Sequence, residues 1–265
     1  MNARFFDGID WSRPWYAAVL PVAQDVLTCV DWRARINQLS AQSGLQNHSN
    51  LLLQFIAQEE LPDGVAYEAH ISASGQVPTR ENLHDFFNAL VWLSFPCVKR
   101  QLNALQAAQI AAMGIGKSRG PARDAATIFD ENAALLVVED SEQGHALIAS
   151  LRAHAWQEAF VTQASKFGQI AEVWCFGHAL MEKLVKPYKA ITAHTWVLMV
   201  DKAYFGLDAV ARRSHVDQLV AAQLANQALS TADYTPLPVL GLPGWWPQQD
   251  QAFYADQQVF RARRN

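Results

Sequence analysis

Apolar side chains recur every three or four positions along most of the chain, a spacing typical of helices with one buried face. It predicts helices over residues 15–30, 31–40, 82–95, 96–113, 121–131, 143–160, 169–184 and 208–229. Pro14, Asp31 and Pro96 stand at predicted helix starts, where these residue types are favoured. The chain is therefore predicted to be rich in helix.

Shorter apolar runs with β-branched residues predict a few strands. These runs cover residues 52–58, 65–72, 134–139 and 191–200. The sequence Leu-Pro-Asp-Gly at residues 61–64 is typical of a tight turn, so the first two runs are predicted to form a β-hairpin. The predicted fold class is α+β: a helix-rich single domain over residues 1–265, with a β-hairpin and a small, mostly antiparallel sheet.

The C-terminal residues 230–265 have no regular periodicity and are rich in proline, glycine and tryptophan. Within them, residues 234–246 can form neither a helix nor a central strand, because proline lacks the backbone N–H that both need. We expect this irregular stretch to wrap around the domain and complete its core. The alternative is that it covers a pocket.

Charged residues make up 17% of the chain, below the usual fraction of about 25%, so each charged cluster carries more weight. The net charge of -4 offers no global positive field for phosphates, and nucleic acid is not an expected partner. No apolar run reaches the roughly 20 residues that span a bilayer, and no secretion signal opens the chain. We therefore expect a cytoplasmic protein without a membrane partner.

The densest polar stretch is residues 80–88. On a helix that turns about 100° per residue, His84, Asp85 and Asn88 share one arc. The same arc continues into three apolar residues, Val91, Trp92 and Phe95. We therefore expect the polar side of this helix to lie in a crevice rather than in open solvent.

Two interpretations of this arc remain open. In the first, His84 and Asp85 line a pocket as acid–base or metal-binding groups, and Asn88 orients a substrate or ion. In the second, Asp85 complements the helix dipole while His84 and Asn88 belong to a structural network.

A second cluster surrounds the helix predicted at residues 121–131. Arg119 and Arg123 lie beside its N-terminus, where guanidinium groups and backbone N–H groups both favour an anion. Asp130 and Glu131 lie at its C-terminus, where the helix dipole disfavours acids. We expect Arg119, Arg123, Lys99 or a metal to compensate them, and a structural salt-bridge network is the alternative.

Two further candidates come from the C-terminal half. His178 and Glu182 are one helical turn apart, a spacing that suits a shared metal ion or an ordinary hydrogen-bonded pair. Lys189 is a candidate for binding an anionic ligand.

Six blocks of sequence carry a resemblance to a known family. They are HDFFNALVW at 84–92, RGPARDA at 119–125, FDENAALL at 129–136, GHALMEKL at 177–184, KAITAH at 189–194 and YTPLPVLGLPGWW at 234–246. Together they resemble a proteobacterial family catalogued as domain of unknown function 3025. The resemblance implies a shared fold and a cytoplasmic bacterial setting, and it transfers no catalytic residue.

The leading hypothesis is a hydrolase that acts on a phosphate- or carboxylate-bearing substrate, with a divalent metal ion as its candidate cofactor. The catalytic candidates are His84, Asp85, Asn88, Asp130 and Glu131. The anion-binding candidates are Arg80, Arg119, Arg123 and Lys189, and the metal candidates are His178 and Glu182. The other hypothesis is a non-enzymatic binding or interaction protein, in which these residues pair with one another instead of converging on one accessible pocket.

Overall fold

The computed structural model of the chain describes residues 4–113 and 121–263. Within them the α-helices are α1 (Leu20–Leu27), α2 (Trp32–Ser43), α3 (Tyr67–Ser74), α4 (Leu83–Ser94), α5 (Pro96–Met113), α6 (Pro121–Asn132), α7 (Glu142–Arg152), α8 (His178–Lys183), α9 (Ala209–Asn226) and α10 (Gln251–Tyr254). The strands are β1 (Gln54–Ala57), β2 (Gln76–Thr79), β3 (Ala133–Glu139), β4 (Ala171–Cys175), β5 (Thr192–Val200) and β6 (Thr235–Pro238). The α+β class and the predominance of helix are as predicted. No described helix combines the length and the apolar character needed to cross a bilayer.

The larger sheet has the strand order β4-β3-β5-β6. β3 pairs in parallel with β5, whereas β4 and β6 join the two outer sides in antiparallel orientation. The prediction of a small, mostly antiparallel sheet is therefore confirmed. All residues of β3 except Glu139 are buried, as expected for a short apolar strand covered on both faces.

The prediction of a β-hairpin is wrong. β1 pairs with β2 in parallel, with Phe55 opposite Val77, and parallel strands need a crossover instead of a tight turn. Helix α3 supplies the crossover and occupies most of residues 65–72, which were predicted as the second strand. Gly75 ends α3 with a left-handed φ of 74°, and a Cβ there would lie 2.5 Å from the carbonyl oxygen of Leu52. The turn chemistry of residues 61–64 thus leads into a helix.

Three predicted helices are too long. The helix predicted over residues 15–30 is limited to α1 (Leu20–Leu27). Residues 169–184 contain strand β4 followed by helix α8, and α7 ends at Arg152 instead of continuing to residue 160. Gly177 separates β4 from α8. A Cβ at Gly177 would lie 2.5 Å from the backbone nitrogen of Asn132, so glycine allows α8 to begin directly against the end of α6. This close approach brings His178 beside Asp130.

Helix α4 runs through the centre of the protein. Its residues Phe86 and Phe87 are fully buried, and the polar residues Asp85 and Asn88 are only 7% exposed. The N-terminal segment packs against one side of α4, where Tyr16 stacks on Phe87. The prediction that the polar arc of this helix is sheltered is confirmed.

The C-terminal segment packs along the edge of the larger sheet. Strand β6 pairs with β5, and Leu237 and Leu240 are buried in the core. The Tyr234 hydroxyl donates a hydrogen bond of 2.8 Å to the backbone oxygen of Ala125 in α6. The segment thereby ties the sheet to the helix that carries Asp130.

Candidate functional site

A cavity of about 650 Å³ opens between α3, α4, α6 and α8. Its lining includes many of the residues predicted for the site: Arg80, His84, Asp85, Asn88, Arg123, Asp130, Glu131 and His178. The two clusters that the sequence places about forty residues apart, and His178 beyond them, therefore face one space. Side chains that were not predicted also line it: Gln58, Leu61, Ala66, Tyr67, Glu68, Gln106 and Thr127.

The N-terminus of α4 is stabilised by an ion pair between Arg80 and Asp85. The Asp85 carboxylate accepts from the backbone N–H of Arg80 at 2.7 Å and from its Nε and Nη2 at 2.9 Å each. Asn82 caps the helix by accepting from the backbone N–H of Asp85 at 2.8 Å. The hydrogen bond to Asp85 raises the pKa of Arg80 further above its usual value. Asp85 therefore fixes Arg80 and the helix start, and its oxygens already have partners.

The imidazole of His84 lies between two residues of α8. Its Nδ1 is 3.0 Å from Oε2 of Glu182, and its Nε2 is 3.0 Å from Nε2 of His178. The two rings are nearly perpendicular, with centroids 4.4 Å apart. The pair at one-turn spacing, His178 and Glu182, thus brackets His84 from both ring nitrogens. The spacing was predicted to suit a shared metal ion or a hydrogen-bonded pair, and in the structure each of the two side chains contacts His84.

His178 is the more deeply buried of the two histidines, at 5% exposure. Burial lowers its pKa to about 3, although the nearby Asp130 opposes the shift. The ring is therefore neutral at neutral pH and carries a proton on only one of its nitrogens. Its Nδ1 is buried and has no partner with hydrogen-bonding geometry among the described residues.

A buried ion pair forms the floor of the cavity. Lys99 Nζ donates to both carboxylate oxygens of Asp130, at 2.6 and 2.8 Å, and to Oδ1 of Asn88 at 2.9 Å. Burial raises the pKa of Asp130, but the charge of Lys99 and its hydrogen bonds to the carboxylate outweigh burial and lower the pKa overall. Lys99 is thus one of the cations expected to compensate the acidic end of α6.

Helix α3 contributes two cavity residues, Tyr67 and Glu68, that were not predicted because residues 65–72 were assigned to a strand. The Tyr67 hydroxyl accepts a hydrogen bond of 3.1 Å from Nδ2 of Asn88, and burial raises the pKa of Tyr67 well above its usual value. Burial also raises the pKa of Glu68 to about 7, although the charge of Lys99 opposes the shift. The only sequence signal for Glu68 was its charge in a chain with few charges. No feature of the sequence indicated that Gln106 or Thr127 would line the cavity.

The remaining candidates occupy different places. Arg123 and Glu131 line the cavity from the two ends of α6. Lys189 lies elsewhere, bound to Asp256 at 2.8 Å and placed over the ring of Phe253, so its assignment to this site is wrong. Arg119 falls outside the described residues.

Acidic side chains outnumber basic ones at the cavity. Among the described residues, five carboxylates lie on its wall or against His84: Glu68, Asp85, Asp130, Glu131 and Glu182. The cations are Arg80, Arg123 and the buried Lys99. Within the same residues, no group of three or more His, Cys, Asp and Glu side chains is arranged to hold a metal ion.

Comparison with curated proteins and with solved structures found no match to the chain. The comparison with protein families found one. The model of the family described as "Protein of unknown function (DUF3025)" matches residues 53–264, which include every residue that lines the cavity. The match spans well over half of the chain, in agreement with the resemblance carried by the six sequence blocks, and the chain belongs to this family.

Proposed function

We propose that the protein is a hydrolase in which His84 and His178 activate a water molecule against a small substrate that bears a phosphate or carboxylate group. The observation that carries the proposal is the hydrogen-bonded series Glu182–His84–His178 at the wall of an open cavity. A carboxylate behind an imidazole is the arrangement that orients a histidine for acid–base or metal chemistry.

Glu182 selects the tautomer of His84. An ionised carboxylate only accepts hydrogen bonds, so the proton of neutral His84 resides on Nδ1 and the lone pair on Nε2. Nε2 faces His178, and the side chain of His84 remains 32% exposed towards the cavity. Water that enters the cavity therefore meets the two imidazoles as one hydrogen-bonded pair, whose orientation Glu182 fixes from behind.

Two guanidinium groups supply the binding of an anion. Arg80 donates to Asp85 through Nε and Nη2, which leaves Nη1 available, and its side chain is 56% exposed. Arg123 lines the same cavity from the first turn of α6. Planar guanidinium groups match the oxygen pairs of phosphates and carboxylates, which supports this substrate class.

The test is a screen of phosphate and carboxylate esters with the purified protein, followed by the His84→Asn variant on the best substrate. Loss of a positioned acid–base group is expected to lower kcat/KM by about 10²- to 10⁴-fold. His145→Asn is the matched control, because His145 also pairs with a carboxylate, Asp140, but is well exposed and lies outside the cavity. No hydrolysis by the wild type, or equal activity of the two variants, would refute the proposal.

A second candidate function is ligand binding without catalysis. It is favoured by the network of Lys99, Asp130, Asn88 and Tyr67, in which buried polar groups satisfy one another as they do in a structural core. On this account the screen finds no turnover. Instead, a small phosphate or carboxylate compound raises the melting temperature of the wild type and not that of an Arg123→Gln variant.

A further inference from the structure

We propose that Glu68 and Gln106 form a subsite for an ammonium group, so that the substrate of this cavity carries an amino group as well as its phosphate or carboxylate. The inference deepens the proposed function, on which it rests, because it names the substrate class of the same cavity. The anionic end of the substrate lies towards Arg123, and its amino end lies towards Glu68 and Gln106.

The buried face of helix α5 is polar beside the cavity. Lys99, Asn103 and Gln106 follow one another at spacings of four and three residues, which places them on one side of the helix. All three are buried, at 5% exposure or less. Helix α5 packs against α3 and α6, which carry Glu68 and Arg123. Because burying a polar side chain is costly unless it finds a partner, the partner of each one is informative.

Lys99 has such partners, whereas Gln106 and Asn103 are incompletely satisfied. Lys99 donates to Asp130 and to Asn88. Gln106 lines the cavity, and no side-chain hydrogen bond joins it to another described residue. The Oδ1 atom of Asn103 is buried and likewise lacks a partner among those residues. The amide of Gln106 is therefore free to bind a ligand in the cavity.

Two charged residues near Gln106 are also unpaired. Glu68 and Arg123 both line the cavity, and burial raises the pKa of Glu68 while the charges of Lys99 and Arg123 oppose that shift. Glu68 and Arg123 are thus close enough to interact, yet within the described residues neither belongs to an ion pair. A ligand in the cavity can therefore contact both. The ion pairs at the cavity, among the same residues, are Arg80–Asp85, His84–Glu182 and Lys99–Asp130.

The atoms left free at Glu68 are acceptors, which favours a cation rich in donors. An ionised carboxylate only accepts hydrogen bonds, and among the described residues Glu68 receives one, from Nδ2 of Asn103 at a long distance of 3.5 Å. The amide of Gln106 can turn its Oε1 towards the same ligand. An ammonium group supplies three N–H donors and a positive charge that stabilises the ionised form of Glu68.

The charge balance of the cavity agrees with a zwitterionic substrate. Among the described residues, the carboxylates at the cavity outnumber the cations by five to three. A purely anionic compound would approach against this excess of negative charge. A substrate with an ammonium group at Glu68 and an anion at Arg123 meets opposite charge at both of its ends.

The experiment compares the binding of matched compounds with and without an amino group, measured by calorimetry at pH 7. O-Phosphoethanolamine is paired with ethyl phosphate, and β-alanine is paired with propionate, so the two pairs also distinguish a phosphate from a carboxylate at the anionic end. We expect the wild type to bind the amino compound of at least one pair about 10- to 100-fold more tightly than its partner, the usual effect of hydrogen bonds to a charged group.

Three variants locate the source of this preference, and circular dichroism checks the fold of each. Glu68→Gln keeps the shape of the side chain and removes its charge, so most of the preference should be lost. Gln106→Leu should reduce the preference severalfold, and Glu68→Gln decides the test alone if Gln106→Leu does not fold. Glu131→Gln is the matched control, because it removes the same charge from the wall of the same cavity and should keep the preference.

Proton release provides a second measurement that needs only the wild type. Burial raises the pKa of Glu68 to about 7, against the charges of Lys99 and Arg123 and together with that of Asp130, so the free carboxyl is about half protonated at pH 7. An ammonium group lowers that pKa. The amino compound should therefore release about half a proton more than its partner, seen as a dependence of the binding heat on the ionisation enthalpy of the buffer.

The inference is overturned if neither amino compound binds more tightly than its partner, or if Glu131→Gln loses the preference as Glu68→Gln does. The binding measurements involve no turnover, so they are independent of the hydrolase proposal. Hydrolysis of esters without any preference for an amino group would refute the subsite and leave the hydrolase, and the preference without any hydrolysis would do the reverse.

Discussion

At the scale of single residues, Glu68 is a carboxyl group whose pKa burial raises into the neutral range. It lines the cavity, where Lys99, Arg123 and Asp130 contribute charge and Asn103 lies at hydrogen-bond distance. Burial raises its pKa from 4.5 to about 7. The folded protein therefore binds this proton more tightly than the unfolded chain does between these two pH values.

The sign of the pH dependence follows from that difference. Because the folded state binds more protons, the contribution of Glu68 to stability falls as pH rises from 4.5 to 7. The fall amounts to at most about 3 kcal/mol. The measurement is urea unfolding of the wild type and of Glu68→Gln between pH 4.5 and 8. The contributions of other titrating groups largely cancel when the two proteins are compared at the same pH. We therefore expect similar free energies of unfolding at pH 4.5 and a more stable Glu68→Gln variant at pH 8. A difference in stability that does not change with pH would contradict the raised pKa of Glu68.

At the scale of secondary-structure elements, the start of α8 depends on Gly177. Its φ of -58° is accessible to any residue, so the requirement for glycine is one of space and not of backbone conformation. A Cβ would collide with the backbone at the end of α6, close to Glu131 and Asn132. Since α8 carries both His178 and Glu182, this contact sets the distance of both side chains from His84.

Gly177→Ala is therefore expected to destabilise the protein by about 1–3 kcal/mol, the usual cost of overpacking. It should also lower activity, because α8 must move away from α6. Gly206→Ala is the control, since a Cβ at Gly206 meets nothing within 4 Å. The two variants are compared by thermal unfolding and by kcat/KM, and equal behaviour would show that the close approach is not needed.

The elements also show what the sequence could predict. Helices α4 and α5 were predicted nearly to their ends, because their apolar spacing is a local signal and so is Pro96 at the start of α5. The prediction of a β-hairpin was wrong because it relied on the local turn signal at residues 61–64. The pairing of β1 with β2 depends instead on contacts between strands that α3 separates in the sequence. Strand β4 was missed for a similar reason: its five residues become a strand by pairing with β3.

The same limit applies to the site. Its charged residues stood out because the chain has few charges, and most of them do line one cavity. Their partners did not stand out. His84 meets Glu182 across 98 residues and Lys99 meets Asp130 across 31, and no local pattern encodes such pairs. No local feature of the sequence distinguishes Lys189 from a lysine that binds a ligand. In the fold it pairs with Asp256.

At the scale of the whole molecule, the cavity lies where helices from distant parts of the chain meet around α4. The segment before residue 53, outside the family match, supports α4 from behind, with Tyr16 stacked on Phe87 and bonded to the backbone of Met181 in α8. The C-terminal segment holds α6 through Tyr234. These contacts fix the relative positions of α4, α6 and α8, and hence of the residues proposed to act together.

The central claim, that Glu182 and His84 act as one unit, is tested most directly by a double-mutant cycle on the best substrate. It uses His84→Asn, Glu182→Ala and the double variant, each with its fold checked by circular dichroism. If Glu182 acts only through His84, the double variant has about the same kcat/KM as His84→Asn alone, since residues that act as a unit are not additive. Losses that multiply in the double variant, or a Glu182→Ala variant as active as the wild type, would contradict the account.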